Sequence, residues 1–332
     1  MRQRVIYILK HNAVIQRLYR VIMSYIIRMC GRFIPIDDNI VIFVSFMGRG
    51  FNDSPKAIYE YMQSHPQYKK YRCIWAFEEP EKFPDLETVK IDTPAYFKTA
   101  LKAKYWITNT NIERGLSFKK KGQLYLNTWH GIALKYIGND CPGRKDYDFN
   151  TVNYLTVCGE HDQEVYKSAF NADEKCFLRC GLPRNEKLWN ITDEQRKIYR
   201  DKLGIPEEKK VILYAPTWRE STNGGKSYDI KPPIHFEQWE NELANEYIVL
   251  FRAHHLTTKI LGVKFNEFVR DVSNYSEVND LMIASDILIT DYSAIAFDYS
   301  ILCLTYFIWI FFIHFKICSS FNQIRVIVIC IN

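Results

Sequence analysis

Short apolar runs rich in β-branched and aromatic residues alternate with helical patterns along most of the chain, and this alternation constrains the fold more than any single motif. In the first half the runs are NIVIFVSF (39–46), YRCIWAF (71–77), KYWITNT (104–110), QLYLNTW (123–129) and VNYLTVCG (152–159). Between the first two, DSPKAIYEYMQSH places an Asp/Ser cap before Pro55, which predicts a helix start. A polar helix, TDEQRKIYRDKLG (192–204), and Pro206 separate this series from a second: KVILYAPTW (210–218), YIVLFRAH (247–254) and DILITDYS (286–293), interspersed with the helical segments FEQWENELANE and VNDLMIAS. Strands joined through helices pair in parallel, so each half reads as an α/β unit. A chain of 332 residues with 47% hydrophobic content can build two sizeable cores. The halves meet near residues 185–205 and predict a cleft between them, with ligands at the carboxyl ends of the strands.

The two ends of the chain depart from this pattern. Seven basic residues (Arg2, Arg4, Lys10, Arg17, Arg20, Arg28, Arg32) precede the first acid, Asp37, so this end carries more than the whole net charge of +6. Ile15, Leu18, Ile22, Tyr25 and Ile26 recur at near-helical spacing between the arginines, which break any 18-residue apolar run and argue against a spanning helix. No small-residue cleavage site marks a secretory signal. The pattern predicts a basic amphipathic helix over residues 1–34 lying on an anionic membrane surface, with a helix packed on the protein body as the alternative. Basic residues interleaved with aliphatics rather than stacking aromatics argue against nucleic acid. The last 32 residues contain no acid, glycine or proline, and the apolar stretch from Ile301 to Ile313 is short for a span. The expectation is an aberrant, out-of-frame tail from about residue 302, an incomplete second domain and an unpaired sheet edge beyond DILIT; a membrane helix is the alternative. Nine cysteines without CxxC or zinc spacing read as reduced, buried thiols, with no metal site and no disulfide framework.

Polar residues gather where strands end. His130 lies in LYLNTWHGIALKYIG (124–138) and reads either as a proton-transfer group or as a hydrogen-bonded structural residue. GLPRN supplies Arg184; YAPTWR supplies Thr217 and Arg219; LFRAHH supplies Arg252, His254 and His255; TDYSAIAFD supplies Asp291, Ser293 and Asp298. Histidines, arginines and a serine-opened helix start, repeated in one placement, equip a chain for a phosphate-bearing substrate. Asp146 and Asp148 form a DxD in RKDYDF, but flanked by Arg144 and Lys145 they read as solvated loop carboxylates rather than metal ligands.

The ordered set SFMGRGFNDSPKAIYEY, NTWHGIALKYIG, GLPRNEKL, ILYAPTWRE, FRAHH and ASDILITDYSAIAFDY resembles the CDP-glycerol glycerophosphotransferase family of teichoic acid and capsule polymerases and primases, over roughly residues 38–300. The resemblance implies an α/β, GT-B-like architecture: an N-terminal Rossmann-like domain over 36–190 and a nucleotide-binding Rossmann-like domain over 205–332, with the active cleft between them. It implies transfer of a polyol phosphate from a CDP-glycerol or CDP-ribitol donor to a lipid-linked polyol-phosphate or glycan acceptor, with CMP leaving and no cofactor. It also implies peripheral, monotopic attachment at the cytoplasmic face of the bacterial membrane. The family's histidine after Thr-Trp maps on His130, and its arginine-histidine pair on Arg252 and His254. His130 is expected to act as base, with His254, Arg252 and Ser293 stabilising the diphosphate without a metal. Arg184, Thr217, Arg219, Asp291 and Asp298 are expected to contact substrate. His255 stands where the family has proline, Ala294 where it has a second serine, and Ile132-Ala133 where it has threonine-proline. A sugar-nucleotide glycosyltransferase on the same fold and an inactive remnant are the competing readings.

Overall fold

The computed structural model describes residues 13–134, 136–216, 229–230, 232–253, 259–291, 293–303 and 305–308. The chain divides into two compact units, Met1–Arg184 and Asn185–Asn332.

The first unit is built on a seven-stranded sheet. Its strands are β1 (Asp37–Val44), β2 (Arg72–Phe77), β3 (Thr88–Lys90), β4 (Ala103–Thr108), β5 (Leu124–Asn127), β6 (Tyr154–Val157) and β7 (Phe177–Arg179), in the order β3-β2-β1-β4-β5-β6-β7. Every pair is parallel. The apolar runs are continuous because both faces of the sheet are covered. Along β1, Ile40, Ile42 and Val44 enter one core with Trp106, Tyr125 and Leu155. Val41 and Phe43 enter the other with Trp75, Phe77 and Ile107. The strand order reverses direction between β1 and β4, so the loops following those two strands flank the crevice where such sheets take ligands.

Helix α1 (Ala13–Gly31) rests on this unit along a narrow stripe, where Ser24, Ile27 and Gly31 are buried. Arg28 donates to the Ser117 carbonyl at 2.6 Å and to its hydroxyl at 2.6 Å, and Ser117 N–H donates to Ser24 Oγ at 3.0 Å. Val14, Ile15, Leu18, Tyr19, Val21, Ile22, Tyr25 and Ile26 are exposed. The helix is therefore docked by its small and polar side and bare on its apolar side. No helix among the described residues is long and apolar enough to cross a membrane. Residues 1–12 of the predicted amphipathic segment lie outside the described residues.

Helices α2 (Asp53–Ser64), α3 (Pro94–Lys102) and α4 (Glu160–Phe170) complete the first unit. The α4 end packs so closely that a Cβ on Gly138 would sit 2.1 Å from the Ala169 carbonyl oxygen; with φ at +54°, that position admits only glycine. The DxD carboxylates serve their own loop: Asp146 pairs with Arg144 at 3.5 Å, and Asp148 accepts from Asn150 N–H at 3.2 Å and from Asn171 Nδ2 at 3.0 Å.

The second unit opens with α5 (Asp193–Lys202), whose Thr192 and Gln195 form a reciprocal capping box. Its main strands are β8 (Lys210–Ala215), β10 (Tyr247–Phe251), β12 (Val269–Asp271), β13 (Ile287–Thr290) and β14 (Thr305–Ile308), parallel in the order β12-β10-β8-β13-β14. Strands β9 (Asp229–Ile230) and β11 (Lys259–Ile260) form a separate parallel pair. Val211, Leu213 and Leu250 face one core and Ile212, Tyr214 and Val249 the other. Helices α6 (Phe236–Leu243), α7 (Val278–Ala284) and α8 (Ile295–Ser300) complete the unit.

Two expectations are corrected. The edge beyond DILIT is paired: β14 runs beside β13 from Ile287 opposite Thr305 to Thr290 opposite Ile308. Residues 309–332 of the expected aberrant tail lie outside the described residues. The cysteines are not uniformly buried, because Cys30, Cys180 and Cys303 are exposed while Cys176 is buried. No disulfide joins the described cysteines.

Candidate active site

Three strand ends of the first unit converge on His130. β1 runs into a turn in which Phe46 and Met47 take left-handed backbone, φ 41° and 64°. β4 runs into Asn109 and Thr110, whose side chains accept the Phe46 and Met47 N–H groups at 2.8 and 3.3 Å and hold that turn. β5 runs into Thr128, left-handed Trp129 (φ 49°) and His130. The Trp129 N–H donates to Asn127 Oδ1 at 2.8 Å, and Asn127 Nδ2 donates to the Thr110 carbonyl at 2.7 Å. Left-handed backbone at non-glycine residues costs roughly 1–3 kcal/mol each and persists only where surrounding bonds fix it, as they do here.

These bonds decide the state of the imidazole. His130 Nδ1 lies 2.7 Å from the Asn109 carbonyl oxygen. A carbonyl can only accept, so Nδ1 carries the proton and Nε2 the lone pair. The ring lies against Trp129 and Phe46, with centroids 4.0 and 5.6 Å away. Burial pushes its pKa below the ordinary 6.5; the Asn109 bond and Asp53 oppose that shift, and Arg184 adds to it. The group at this strand end is a neutral imidazole with a defined basic atom, which is what a general base near pH 7 requires.

Arg184 reaches this site from the segment after β7. Its Nη1 donates to Asp53 Oδ2 at 2.7 Å and to the His130 carbonyl at 3.1 Å, and its N–H donates to Ser54 Oγ at 3.3 Å. Both side chains of the ion pair are buried, 10% exposed for Arg184 and 8% for Asp53. Asp53 is itself left-handed, φ 61°, and its Oδ1 accepts the Ser54 N–H at 2.7 Å. Arg184, expected to contact substrate, gives its Nη1 to a carboxylate and to the backbone of the histidine.

In the second unit the strand order reverses between β8 and β13. Asp291 and Ser293 follow β13; Asp291 is buried and Ser293 half-buried, its Oγ 3.4 Å from the Ile295 N–H it accepts. Asp298, on α8, is buried and accepts from Asn185 Nδ2 at 2.6 Å. Two residues on, Lys187 pairs with Asp280 at 2.8 Å and Glu277 at 3.4 Å. Arg252, after β10, donates from Nη1 to the Val272 and Tyr275 carbonyls at 3.3 and 2.6 Å, and burial lowers its pKa. It braces the 272–275 turn, a role the expectation of a phosphate contact did not include. Thr217, Arg219 and His254 lie outside the described residues.

The residues missed in the sequence are Asp53, Asn109 and Asn185. Asp53 lies in the DSP stretch that announces a helix start, and its long-range partner leaves no local signal. Asn109 acts on His130 through its backbone carbonyl, a group every residue has. Asn185 stands inside GLPRN, beside the arginine that draws attention.

Comparison with known proteins places this geometry in a family. The sequence profile described as CDP-Glycerol:Poly(glycerophosphate) glycerophosphotransferase matches residues 26–303. A teichoic acid poly(glycerol phosphate) polymerase of Staphylococcus epidermidis is 37% identical over 292 residues, 80% of this chain and 40% of that protein. One from Bacillus spizizenii is 32% identical over 314 residues, 88% of this chain and 78% of that protein. The chain thus spans well under half of the first relative and most of the second. A solved structure of a variant of the wall teichoic acid polymerase TagF, soaked with CDPG, superposes with a TM-score of 0.73 at 33% identity, covering 89% of this chain and 78% of that one. The expected α/β, GT-B-like class holds, and with a family profile spanning both parallel sheets the chain belongs to the CDP-glycerol:poly(glycerophosphate) glycerophosphotransferase family.

Proposed function

We propose that this chain transfers glycerol phosphate, or a related polyol phosphate, from a CDP-alditol to a teichoic acid or capsule acceptor and releases CMP. The observation that carries the reading is His130, protonated on Nδ1 by its bond to Asn109 and basic at Nε2. An acceptor hydroxyl is a poor nucleophile at neutral pH. As its oxygen bonds to the β-phosphorus of the donor, its proton passes to Nε2, and the bond from that phosphorus to the oxygen of CMP breaks. Charge grows on the departing CMP. Ser293 and His254 are assigned to that charge, with Thr217, Arg219, Asp291 and Asp298 as further donor-side residues and Arg252 bracing the 272–275 turn. The CDPG soaked into the related polymerase supports CDP-glycerol as the donor.

The acceptor is lipid-linked and the enzyme is peripheral on the anionic, cytoplasmic face of the membrane. Supporting this is α1, whose exposed apolar side is accompanied by exposed Arg17 on the helix and exposed Arg32 just after it. Deleting residues 1–34 is expected to abolish pelleting with anionic vesicles, and added salt to weaken pelleting of the intact chain. Unchanged pelleting after the deletion contradicts this attachment.

The deciding assay measures CMP release from CDP-glycerol and CDP-ribitol, against UDP release from UDP-sugars, with a lipid-linked acceptor. CMP release with extension of the acceptor is expected. UDP release alone would make the chain a glycosyltransferase.

A further inference from the structure

We propose that Asp53 and Arg184 are positioning residues for the transfer step: their buried ion pair fixes the backbone of His130 and so the direction from which Nε2 meets the acceptor hydroxyl. This rests on the reading of His130 as the base.

The geometry is specific. The imidazole is held on its ring side by the Asn109 carbonyl, 2.7 Å from Nδ1. That bond fixes a tautomer, but not the main chain carrying the ring. The main chain at His130 follows left-handed Trp129, a conformation that relaxes unless it is held from outside. Besides the Asn127 bond to the Trp129 N–H, two groups hold it: Arg184 Nη1 bonds the His130 carbonyl at 3.1 Å, and the Tyr166 hydroxyl bonds the Gly131 carbonyl at 3.2 Å. Arg184 in turn is oriented by Asp53, and its N–H is bonded to the adjacent Ser54. Asp53 adopts left-handed backbone at the first residue of α2, so its carboxylate is placed by a strained residue rather than by a freely rotating one. The Nη1 end of the guanidinium is thereby engaged by a carboxylate and a main-chain carbonyl.

The pair also sets the charge around the ring. The charged groups that act on His130 are Asp53, which favours the imidazolium, and Arg184, which disfavours it. The hydroxyl of Tyr166, from α4, has a pKa raised by burial and remains neutral. Phe46 and Trp129, which lie against the ring, do not titrate. Removing one charge should therefore move the titration of His130 in a direction set by which charge is lost, an effect that simple loosening of the fold does not produce.

The test uses the full chain labelled with ¹⁵N-histidine, reading the tautomer and titration midpoint of His130 by two-bond ¹H–¹⁵N correlation in the wild type, Asp53→Asn, Arg184→Gln and Arg184→Lys. The expected results are a downward midpoint shift for Asp53→Asn, an upward shift for Arg184→Gln and an unmoved midpoint for Arg184→Lys. In CMP release, kcat is expected to fall about tenfold or more in each variant, since misplacing a reacting group by about 1 Å costs up to about a hundredfold. KM for CDP-glycerol should stay within about threefold, because ground-state binding is untouched. An unmoved midpoint in both charge variants overturns the proposal, as does a raised KM with kcat retained, which would return Arg184 to the substrate. If the charge variants do not fold, Arg184→Lys decides: a fall in kcat at constant KM supports the proposal and an unchanged kcat overturns it. The histidine signal is read without turnover. A wild type inactive on CDP-glycerol would therefore refute the transferase reading while the positioning test still stands.

Discussion

In the unit containing His130, the chain leaves β1 and β5 through left-handed residues; in the unit containing Ser293 the described polar residues that follow strands, Arg252, Asp291 and Ser293, keep ordinary backbone. Among the described residues, Phe46, Met47, Asp53, Asp92, Arg114, Trp129 and Asn171 of the first unit have positive φ, against Asn190 and Cys303 of the second. Four of the seven belong to the His130 neighbourhood. Phe46 and Met47 are fixed by side chains from another strand end, Trp129 by Asn127 of its own strand and Asp53 by an ion pair. In the second unit Asp298 and Asp280 are instead bonded by Asn185 and Lys187, side chains from one short segment. Strain survives only where several independent bonds agree, so the first unit bears the marks of a site built to hold one group still. The described Asp280 and Asp298 of the second unit are held by ordinary, separable contacts, which is compatible with the proposed donor-binding role.

The strongest way to break this contrast is to remove a group from each side. His130→Ala should lower kcat by about 10²–10⁴-fold, the usual contribution of a positioned base, while donor Kd changes only a few-fold. A comparable loss of rate on Ser293→Ala would erase the distinction. Next in size is a pair of glycine substitutions read by urea denaturation. Gly138→Ala, with its Cβ driven against the Ala169 carbonyl, should cost roughly 2–4 kcal/mol. Gly204→Ala, also at positive φ but with nothing within 4 Å of the added carbon, should cost about 1 kcal/mol. Equal costs would mean that the close packing of the first unit relaxes easily.

Asn185→Ala removes a donor from a buried carboxylate and should cost about 1–3 kcal/mol, visible as a lowered denaturation midpoint. Ser293→Ala should have the smallest effect, roughly a two- to tenfold loss of donor affinity by titration calorimetry, the worth of one hydroxyl hydrogen bond. Unchanged affinity would take Ser293 out of the donor site.

How much of this was readable follows from how local each cause is. β1, β2, β4, β5, β8 and β10 stand out because strands buried on both faces need unbroken apolar runs. β3, β7 and β12 are three residues each and carry Lys90, Arg179 and Arg270, so no run announces them. β14 was obscured by the compositional change around it, yet Thr305–Ile308 supplies the β-branched and aromatic residues of an edge strand. At the site, His130 was legible from its place after a strand, whereas its tautomer depends on the backbone of Asn109. Arg184 was legible as important but not as an ion-pair partner, because Asp53 lies 131 residues away in sequence.

The most direct measurement is the pH dependence of kcat/KM for CMP release from CDP-glycerol, which reports the groups of the free enzyme. Burial disfavours the imidazolium of His130, so its folded pKa lies below 6.5. The base is then neutral and fully active above that pH, and is lost only as pH falls through the lowered value. An acid limb with its midpoint below 6.5 is expected, and it should be absent from the residual activity of His130→Ala. An acid limb at or above 6.5, or one that persists unchanged in His130→Ala, would contradict it.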